Sequence, residues 1–515
     1  MSQLVQPSIE TLKKIVESNA SQSPIPNLYP IYKYVANNDI TIHQAYLRLA
    51  NLNDNKRLPS FLFESSIKGD TVDRYSFIGV NPSKLIKTGD DPKKFAPEYC
   101  NVDPITILEK ELAGYRQAPL PGLPKFSGGA TGYISYDCIK YFEPKTRRPL
   151  KDVLELPEAV FMFCDLVVAF DHVFQRFQII YNIQVEGKDD LEAAYKKGSI
   201  EIEKIEKLLL TDVSNNLILP LQKPIKLNQT FTSNIGKEGY EGHVTKLKEH
   251  ILKGDIIQAV PSQRVARPTE LHPFNIYKHL RTVNPSPYLF YIDLLDFQII
   301  GASPELLVQS DSKGRVVTHP IAGTMPRGKT NEEDEKNADI LRASLKDRAE
   351  HIMLVDLARN DVNRVCRPET NKVDKLLTIQ RFSHVMHLVS EVSGILRDDQ
   401  TRFDAFRSIF PAGTTSGAPK VKAMELIAEL EKEKRGVYAG AVGHWGYDGK
   451  TMDTCIALRT MVYKDGVAYL QAGGGIVFDS DEYEEYMETM NKMRANNNTI
   501  VEAEKIWAEK VGIAE

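Results

Sequence analysis

The chain has 515 residues, of which 42% are hydrophobic and 26% charged, and its net charge is −4. This composition is ordinary for a globular protein. At roughly 150 residues per domain the length suggests about three units, although single large α/β bodies reach it too. The slight negative charge excludes the basic field of a protein that binds nucleic acid or an anionic membrane. We therefore expect neither partner, and an anionic substrate would need local positive charge or a metal ion.

The cysteines and the N-terminus bear on the compartment. Five cysteines are spread singly along the chain. No C-x-x-C pair indicates zinc, and an odd number argues against a disulfide framework. The N-terminus lacks a basic stretch followed by an apolar core, so we predict no signal peptide. No apolar run is long enough for a transmembrane helix, and the cytoplasm is the expected location.

Four segments follow one another along the chain. Residues 1–30 are predicted to form a short N-terminal lead with a helix, and residues 31–210 mix short strands with helices. The stretch 211–229 shows no hydrophobic period and contains two prolines, so we predict a linker there. Helix and strand patterns are stronger in 230–510, which we predict to be a second domain.

The hydrophobic periods predict individual elements in both parts of the chain. The predicted strands are 161–170, 177–183, 454–463 and 467–478. The predicted helices are 191–210, 238–253, 339–366 and 480–494. These patterns indicate a mixed α and β fold but leave its topology open.

Two predicted helices carry paired carboxylates. Asp347 and Glu350 are three residues apart and share one helical face, and Glu485 and Glu488 do the same nearer the C-terminus. Two facing helices of this kind would bind a hard cation such as Mg²⁺ through oxygen. The alternative is two solvated acidic faces. Against it, Glu350 lies in an apolar setting, where a carboxylate needs a partner.

Arg459 lies in the predicted strand 454–463, on one face with Cys455, Ala457 and Met461. An arginine in so apolar a strand needs an anion, and a planar carboxylate matches its bidentate guanidinium. From the sequence alone, an internal ion pair with an aspartate or glutamate would satisfy it equally well.

Two further features are weaker. Three consecutive glycines at 473–475 would let a ligand carboxylate approach backbone N–H groups, although a bulge or a close strand crossing would also explain them. Neither the G-x-G-x-x-G pattern nor a GK[ST] sequence is present there, which argues against a nucleotide-binding module. His387 lies in an apolar segment, where a lone histidine is more often a core residue than a catalyst.

Ordered motifs from about residue 255 to 493 resemble the anthranilate synthase component I family of chorismate-utilising enzymes. They are DIIQAVPSQR, NPSPYLF, GASPELL, HPIAGT, DRAEHIMLVDLARND, FPAGTTSGAPK, GVYAGAVG, DTCIALR, QAGGGIV and ETMNK. FLFESS, DRYSFIG and SGGATGYISYD extend the resemblance more loosely into the N-terminal half. The resemblance implies an α/β (α+β) fold with a β-sandwich core of mostly antiparallel sheets and surrounding helices, and it makes 230–510 the chorismate-binding catalytic domain.

The resemblance also implies a Mg²⁺-dependent lyase, which converts chorismate and ammonia to anthranilate and pyruvate in the first step of tryptophan biosynthesis. The implied metal ligands are Glu350 and Glu488, with Asp347 and Glu485 in or near the second shell. The implied substrate-binding residues are Gly323, Thr324, Tyr438, Arg459, Gly473, Gly474 and Gly475. The implied catalytic residues are Glu305 as the general acid, His387 in pyruvate elimination, and Thr324 and Gln258 at the reacting ring.

Ala322 and Gln258 separate this activity from those of sister enzymes. Aminodeoxychorismate synthase usually has a lysine at the position of Ala322, whose amine can attack the substrate. Isochorismate- and salicylate-forming relatives usually have a lysine at the position of Gln258, which deprotonates water. Both residues favour ammonia as the nucleophile. The alternatives are aminodeoxychorismate synthase component I and a catalytically silent tryptophan-sensing subunit, and the intact set of implied catalytic residues argues against the second.

The family's tryptophan site implies feedback inhibition of this chain. The matching positions are Ser65, Pro287, Tyr288 and Leu289. Phe61 and Phe63 stand where leucines are common in the family, and Leu289 where many bacterial members have methionine. The pocket is therefore expected, with an affinity that the sequence does not give.

The ammonia source is expected to be another chain. No cysteine lies in the G-x-C-x-G loop that carries a glutaminase nucleophile. A separate glutamine amidotransferase subunit, component II, is therefore implied as the partner in a hetero-oligomer.

Overall fold

The computed structural model describes residues 4–21, 23–37, 40–50, 57–65, 74–185, 191–211, 220–381 and 385–511. Residues 212–219 of the predicted linker, and Ser66 at the end of the FLFESS motif, lie outside these residues.

The described residues form 23 strands and 12 α-helices. The strands are β1 (Leu28–Ala36), β2 (Ser60–Glu64), β3 (Tyr75–Val80), β4 (Lys84–Thr88), β5 (Gly129–Ile134), β6 (Ala159–Cys164), β7 (Leu166–Asp171), β8 (Arg176–Gln184), β9 (Thr232–Ser233), β10 (Gln258–Ala259), β11 (Ser262–Pro268), β12 (Tyr288–Asp293), β13 (Phe297–Ser303), β14 (Leu306–Ser310), β15 (Arg315–Thr318), β16 (Ile321–Pro326), β17 (Lys372–Arg381), β18 (Val385–Ile395), β19 (Gly417–Ala418), β20 (Ala441–Gly446), β21 (Met452–Ile456), β22 (Thr460–Lys464) and β23 (Val467–Gly473). The helices are α1 (Ile9–Asn19), α2 (Ile42–Ala50), α3 (Pro104–Leu112), α4 (Ile139–Phe142), α5 (Leu191–Leu210), α6 (Gly236–Leu252), α7 (Pro273–Val283), α8 (Asn331–Ala343), α9 (Leu345–Asn363), α10 (Arg402–Ile409), α11 (Lys420–Glu431) and α12 (Glu482–Val511).

Two large antiparallel sheets form the centre of the molecule. The eleven-stranded sheet has the order β1-β8-β7-β3-β2-β12-β13-β22-β23-β11-β9. The ten-stranded sheet has the order β16-β18-β15-β14-β21-β20-β5-β6-β4, with β17 paired to β18, and β10 and β19 form a small separate ribbon. Both large sheets contain strands from either side of the predicted linker, and the segment boundaries stay a prediction.

The side-chain alternation along the strands explains why the two sheets stack. Phe61, Phe290 and Ile299 of the eleven-stranded sheet pack in one buried cluster with Met162 and Val442 of the ten-stranded sheet. Their neighbours on the same strands point to the opposite faces and pack against helices. The predicted β-sandwich of mostly antiparallel sheets with surrounding helices is therefore confirmed.

Two predicted strands are wrong in one respect, because each is two strands in different sheets. The predicted strand 161–170 is interrupted at Asp165, where β6 of the ten-stranded sheet ends and β7 of the eleven-stranded sheet begins. The predicted strand 454–463 is interrupted at 457–459 between β21 and β22, which likewise belong to the two different sheets. Apolar alternation continues through both connections because both lie inside the molecule.

The predicted helix 339–366 is also two helices, since α8 ends at Ala343 and α9 begins at Leu345. Ser344 is the N-cap of α9, and its side chain accepts a hydrogen bond from the Asp347 N–H. This break turns the first helical turn of α9 toward the candidate site. Among the described helices, none has the length and apolar character needed to cross a membrane.

Candidate active site

Glu305 lies between β13 and β14, at a connection between the two sheets. Its side chain is only 5% exposed, and Oε1 accepts a hydrogen bond of 3.0 Å from Thr414 Oγ1. Burial raises the pKa of Glu305 to about 8, although Thr414, the Ile321 N–H and the Arg459 charge oppose the shift. Glu305 is therefore largely a neutral acid near pH 7, which is the form that can donate a proton.

Arg459 lies in the bend between β21 and β22, not within a strand as predicted, and it has a φ of 48°. Its side chain is half-buried, and burial lowers its pKa while the charge of Glu305 opposes that shift. Within the described part of the chain, no carboxylate forms an ion pair with this guanidinium. A charged, partly desolvated guanidinium of this kind suits a carboxylate brought by a ligand.

His387 is buried on β18, where it faces a register shift in β16. Its Nδ1 lies 3.1 Å from the Gly323 carbonyl oxygen and 3.0 Å from Thr324 Oγ1. The carbonyl can only accept, so Nδ1 carries the proton. Burial and the Arg459 charge lower the pKa of His387 to about 4, so the imidazole is neutral at physiological pH.

The predicted acidic residues lie around the ends of α9 and α12. Gln258 Nε2 donates a hydrogen bond of 2.8 Å to Glu350 Oε1, and Ser480 Oγ donates one of 2.6 Å to Glu485 Oε1. Lys492 Nζ lies 2.7 Å from Glu488 Oε1 and donates to the Gly473 carbonyl oxygen at 2.8 Å. Gln258 and Lys492 thus bring the two helices and the glycine segment into one region.

The carboxylates of this region are close enough to influence one another's pKa values. Burial raises the pKa of Glu350 and of Glu485, and the Glu488 carboxylate raises both further, while Lys492 opposes these shifts. Glu485 Oε2 is buried without a hydrogen-bond partner. The oxygen donors fit a hard cation such as Mg²⁺. However, no three histidine, cysteine, aspartate or glutamate side chains of the described residues are close enough together to hold a metal ion.

Asp347 belongs to the same region but lies on the side of β16. It accepts a hydrogen bond from Ser344 Oγ, and a Cβ at Gly323 would lie 3.2 Å from Asp347 Oδ1. Gly323 also has a φ of 73°, in the left-handed region that favours glycine. This glycine therefore lets β16 pass close to the first turn of α9.

The glycines at 473–475 are explained in part by close packing. A Cβ at Gly474 would lie 2.8 Å from Glu485 Oε2, and one at Gly475 would lie 2.4 Å from Gln258 Nε2. The Gly474 N–H donates to the Tyr240 hydroxyl at 3.1 Å. Tyr438 is buried with its hydroxyl 3.1 Å from where a Gly473 Cβ would lie. These glycines keep the segment in contact with the carboxylate region.

Sequence reasoning missed Thr414, Tyr240 and Lys492. Thr414 and Lys492 belong to the quoted motifs FPAGTTSGAPK and ETMNK, which marked their segments without giving these side chains a role. Tyr240 lies in α6 without a local signal, because its partner Gly474 is 234 residues away in the sequence.

The predicted effector residues meet at the adjoining ends of β2 and β12. Glu64 pairs with Leu289 in the antiparallel register, so Ser65 and Tyr288 follow at the same end, beside Pro287. Glu64 is buried there and accepts hydrogen bonds from the Tyr277 hydroxyl at 2.6 Å and from His43 Nε2 at 3.2 Å. Burial favours its neutral form, but these bonds and the Arg281 charge lower the pKa of Glu64 to about 2.

The two phenylalanines of β2 fill the sandwich next to this end. Phe61 is fully buried, with its ring centre 4.9 Å from that of Phe63. The Phe61 ring covers Gly79 on β3, where a Cβ would come within 2.1 Å of it. Glycine opposite Phe61 thus makes room for a larger side chain than leucine.

Glu305, a carboxylic acid with a raised pKa, and the Arg459 guanidinium, which makes no ion pair among the described residues, suit an enzyme site for a small anionic substrate that reacts through proton transfer. A family model described as chorismate binding enzyme matches residues 58–498. The chain belongs to this family.

Several relatives match nearly the whole chain. It is 68% identical over 511 residues to anthranilate synthase component 1 of Saccharomyces cerevisiae, covering 99% of both sequences. It is 56% identical to the probable anthranilate synthase component 1 of Schizosaccharomyces pombe, covering 98% of this chain and 99% of that protein. Among solved structures, anthranilate synthase component I from Streptococcus pneumoniae superposes with a TM-score of 0.72 at 34% identity, covering 90% of this chain and 99% of that one.

Proposed function

We propose that this chain is the aminase component of an anthranilate synthase, which converts chorismate and ammonia to anthranilate and pyruvate in tryptophan biosynthesis. The names of its relatives support this proposal. The observation that carries it is the combination of two residues. Glu305 has a raised pKa that favours its acid form, and Arg459 has no ion-pair partner among the described residues. The reaction needs both an acid for a poor leaving group and a cation for a carboxylate.

The first step follows from the acid. Ammonia forms a bond to ring C2 with its lone pair, both ring double bonds shift by one position, the C4–O bond breaks, and the ammonium group at C2 then loses a proton. The leaving oxygen takes the proton of Glu305 and departs as water, since hydroxide is a poor leaving group. Arg459, together with Tyr438 and the backbone at 473–475, is proposed to hold the enolpyruvyl carboxylate so that C4 faces Glu305.

The second step needs a base. Removal of the ring proton at C2 forms the aromatic ring, and the C–O bond to the enolpyruvyl group breaks to give pyruvate. Because its imidazole is neutral at physiological pH, His387 is suited to assist this transfer. The bonds from Nδ1 to Gly323 and Thr324 fix the orientation of the ring.

Mg²⁺ is proposed as the cofactor, with Glu350 and Glu488 as its ligands and Asp347 and Glu485 nearby. When bound, it would neutralise the ring carboxylate of the substrate and the surrounding acidic groups. Gln258 orients Glu350 by donating from its side-chain amide, and Ser480 orients Glu485 by donating from its hydroxyl.

The nucleophile is proposed to be ammonia from a glutamine amidotransferase subunit. Neither Gln258 nor Ala322 has an amine in its side chain. The Gln258 amide donates a hydrogen bond to Glu350, and Ala322 lies on β16 opposite Leu388. Aminodeoxychorismate synthase remains the alternative activity, and Ala322 argues against its covalent route. We also propose inhibition by tryptophan at the β2–β12 end, and a cytoplasmic location.

Incubation of the purified chain with chorismate, Mg²⁺ and an ammonium salt tests the proposal through anthranilate fluorescence. We expect anthranilate with ammonium and none with glutamine alone, because a glutaminase subunit is proposed to supply ammonia. A product that chromatography identifies as the 4-amino isomer would replace this function with aminodeoxychorismate synthesis. Turnover with glutamine by the rigorously purified chain would contradict the proposed partner.

A further inference from the structure

A second opening reaches Glu305 apart from the other candidate site residues. A pocket of about 30 Å³, which is room for about two water molecules, is lined by Glu305, Thr414, His319, Leu354 and Asp361, among other residues. Of its lining residues, only Glu305 belongs to the set predicted from sequence, whereas Arg459, His387 and Glu350 lie outside it. Glu305 therefore lines a pocket that does not include Arg459, the proposed partner of the substrate carboxylate.

The pocket has a titratable group toward solvent. The His319 side chain is 35% exposed, and Nε2 lies 3.6 Å from Glu391 Oε2. Burial lowers its pKa, the Glu391 charge opposes that shift, and the charges of Lys375 and Arg315 reinforce it. A partly exposed imidazole can accept a proton from water at one ring nitrogen and release one from the other.

The walls between His319 and Glu305 offer places for ordered water. Thr318 and Thr414 line the pocket; Thr318 Oγ1 donates to the Leu307 carbonyl oxygen at 2.7 Å and can still accept, and Thr414 Oγ1 donates to Glu305 Oε1 at 3.0 Å. Asp361 also lines the pocket, where Lys420 Nζ neutralises it at 2.5 Å. Polar groups spaced along a pocket of this size can hold bridging waters.

The proposed reaction requires a proton to return to Glu305, and this pocket offers a route for it. In the proposed function, on which this inference rests, each amination leaves Glu305 as a carboxylate because its proton departs with the C4 oxygen, while the ammonium group formed at C2 releases one proton, so that no proton is gained or lost overall. The next turnover cannot begin until that carboxylate recovers a proton.

We infer that His319 and the pocket behind Glu305 form a proton-return path, along which bulk water reprotonates the catalytic acid after each turnover. His319 takes a proton from solvent at Nε2 or Nδ1, and the water in the pocket, about two molecules, passes one to the Glu305 carboxylate. His319 does not touch the substrate and acts through Glu305.

The test separates the first turnover from later ones by rapid mixing of the full chain with chorismate, Mg²⁺ and ammonium under anthranilate fluorescence. Glu305 is protonated at rest, so His319→Ala should complete its first turnover at the parent's rate. Later turnovers should be slower by about tenfold or more, because general acid–base transfer contributes at least that much. Added imidazole should restore the later turnovers by replacing the missing side chain.

His279→Ala is the matched control. His279 Nε2 pairs with Glu502 Oε2 at 2.9 Å on α7, outside the pocket, so its loss also removes a histidine–glutamate pair. This variant should cycle like the parent and gain nothing from imidazole. If His319→Ala cycles normally, slows its first turnover as much as the later ones, or is not restored by imidazole, the inference is overturned.

A second variant tests the pocket itself. Ala358→Leu on α9 fills the lining with a larger side chain, and it should slow later turnovers without rescue by imidazole. Ala343→Leu on the exposed end of α8 is its control. An Ala358→Leu variant that cycles like the parent would show that protons do not pass through this pocket. Absence of anthranilate from the parent would instead refute the proposed function, so the two failures are distinguishable.

Discussion

Glu305 and Arg459 lie at the same corner of the β-sandwich because their two connections run side by side. Glu305 joins β13 to β14, Arg459 lies on the connection from β21 to β22, and these strands pair with each other in both sheets. The Ile456 N–H donates to the Glu305 carbonyl oxygen at 3.1 Å, and the Ala302 N–H to the Arg459 carbonyl oxygen at 3.3 Å. Backbone pairing therefore sets the acid and the cation at a fixed separation before any substrate binds.

Glu305→Gln should lower the amination rate by about 100-fold or more, because the amide keeps the shape and the Thr414 contact but is not an acid. In the parent the raised pKa means that the acid form predominates below pH 8. At a constant concentration of free ammonia, the rate should fall as the pH rises through about 8. Glu369→Gln, on the exposed surface, should leave the profile unchanged. A rate that stays level from pH 7 to pH 10 would remove Glu305 from this role.

Glu350→Gln and Glu488→Gln should each weaken Mg²⁺ binding, because an amide oxygen is a poorer ligand than a carboxylate for a hard cation. A loss of about 100-fold in turnover at low Mg²⁺, or about 2.7 kcal/mol, is expected. Calorimetric titration with Mg²⁺ measures the binding directly. Glu484→Gln, an exposed change on the same helix α12, is the control. Near-normal turnover of either variant at low Mg²⁺ would refute the ligand assignment.

His387→Met should uncouple the two steps. Methionine fills a similar volume but cannot accept a proton, so amination should proceed while pyruvate elimination slows. The aminated ring that still bears its enolpyruvyl group should accumulate and be separable by chromatography. If both steps are lost together in a folded variant, His387 positions the site, and its base role is excluded.

Ser65→Phe should abolish inhibition by tryptophan while leaving catalysis near the parent's rate. Ser65 follows β2 at the end where β12 begins, and a phenyl ring there would occupy the proposed effector pocket. Inhibition curves in ammonium assays measure the change, and a coupling of about 1–3 kcal/mol is typical for such control. Ser21→Phe, at an exposed turn, is the control. A Ser65→Phe enzyme with unchanged inhibition would place the effector elsewhere.

The sequence indicated which residue types belong to the site, but it did not show where the chain turns from one sheet or helix to the next. Arg459 was correctly identified as a cation in an apolar segment. The break between the sheets was missed because residues 457–459 include neither a glycine nor a proline to mark it. The break at Ser344 did have a local signal, because Ser344 followed three residues later by Asp347 is a helix-start pattern. Thr414, in contrast, is 109 residues from its partner Glu305 in the sequence, and no local pattern predicts a contact at that separation.

The fold class was predictable through resemblance, and it is confirmed, whereas the sheet order was not available from periodicity. Alternation tells which face of β12 is buried, but Leu289 pairs with Glu64 more than two hundred residues earlier, and such pairings depend on the whole tertiary structure. The assignments of metal, substrate and effector residues stay predictions. The structure adds contacts to them, chiefly the Gln258–Glu350 bond and the Lys492–Glu488 pair.

The shared construction of both sheets has a consequence for synthesis on the ribosome. β2 and β5 are translated early, but their neighbours β12 and β20 emerge much later. At cellular translation speeds the wait for β20 is on the order of tens of seconds. During that time two apolar strands have unpaired edges, which are sites of aggregation. We therefore expect the nascent chain to depend on chaperones until its last third has been made.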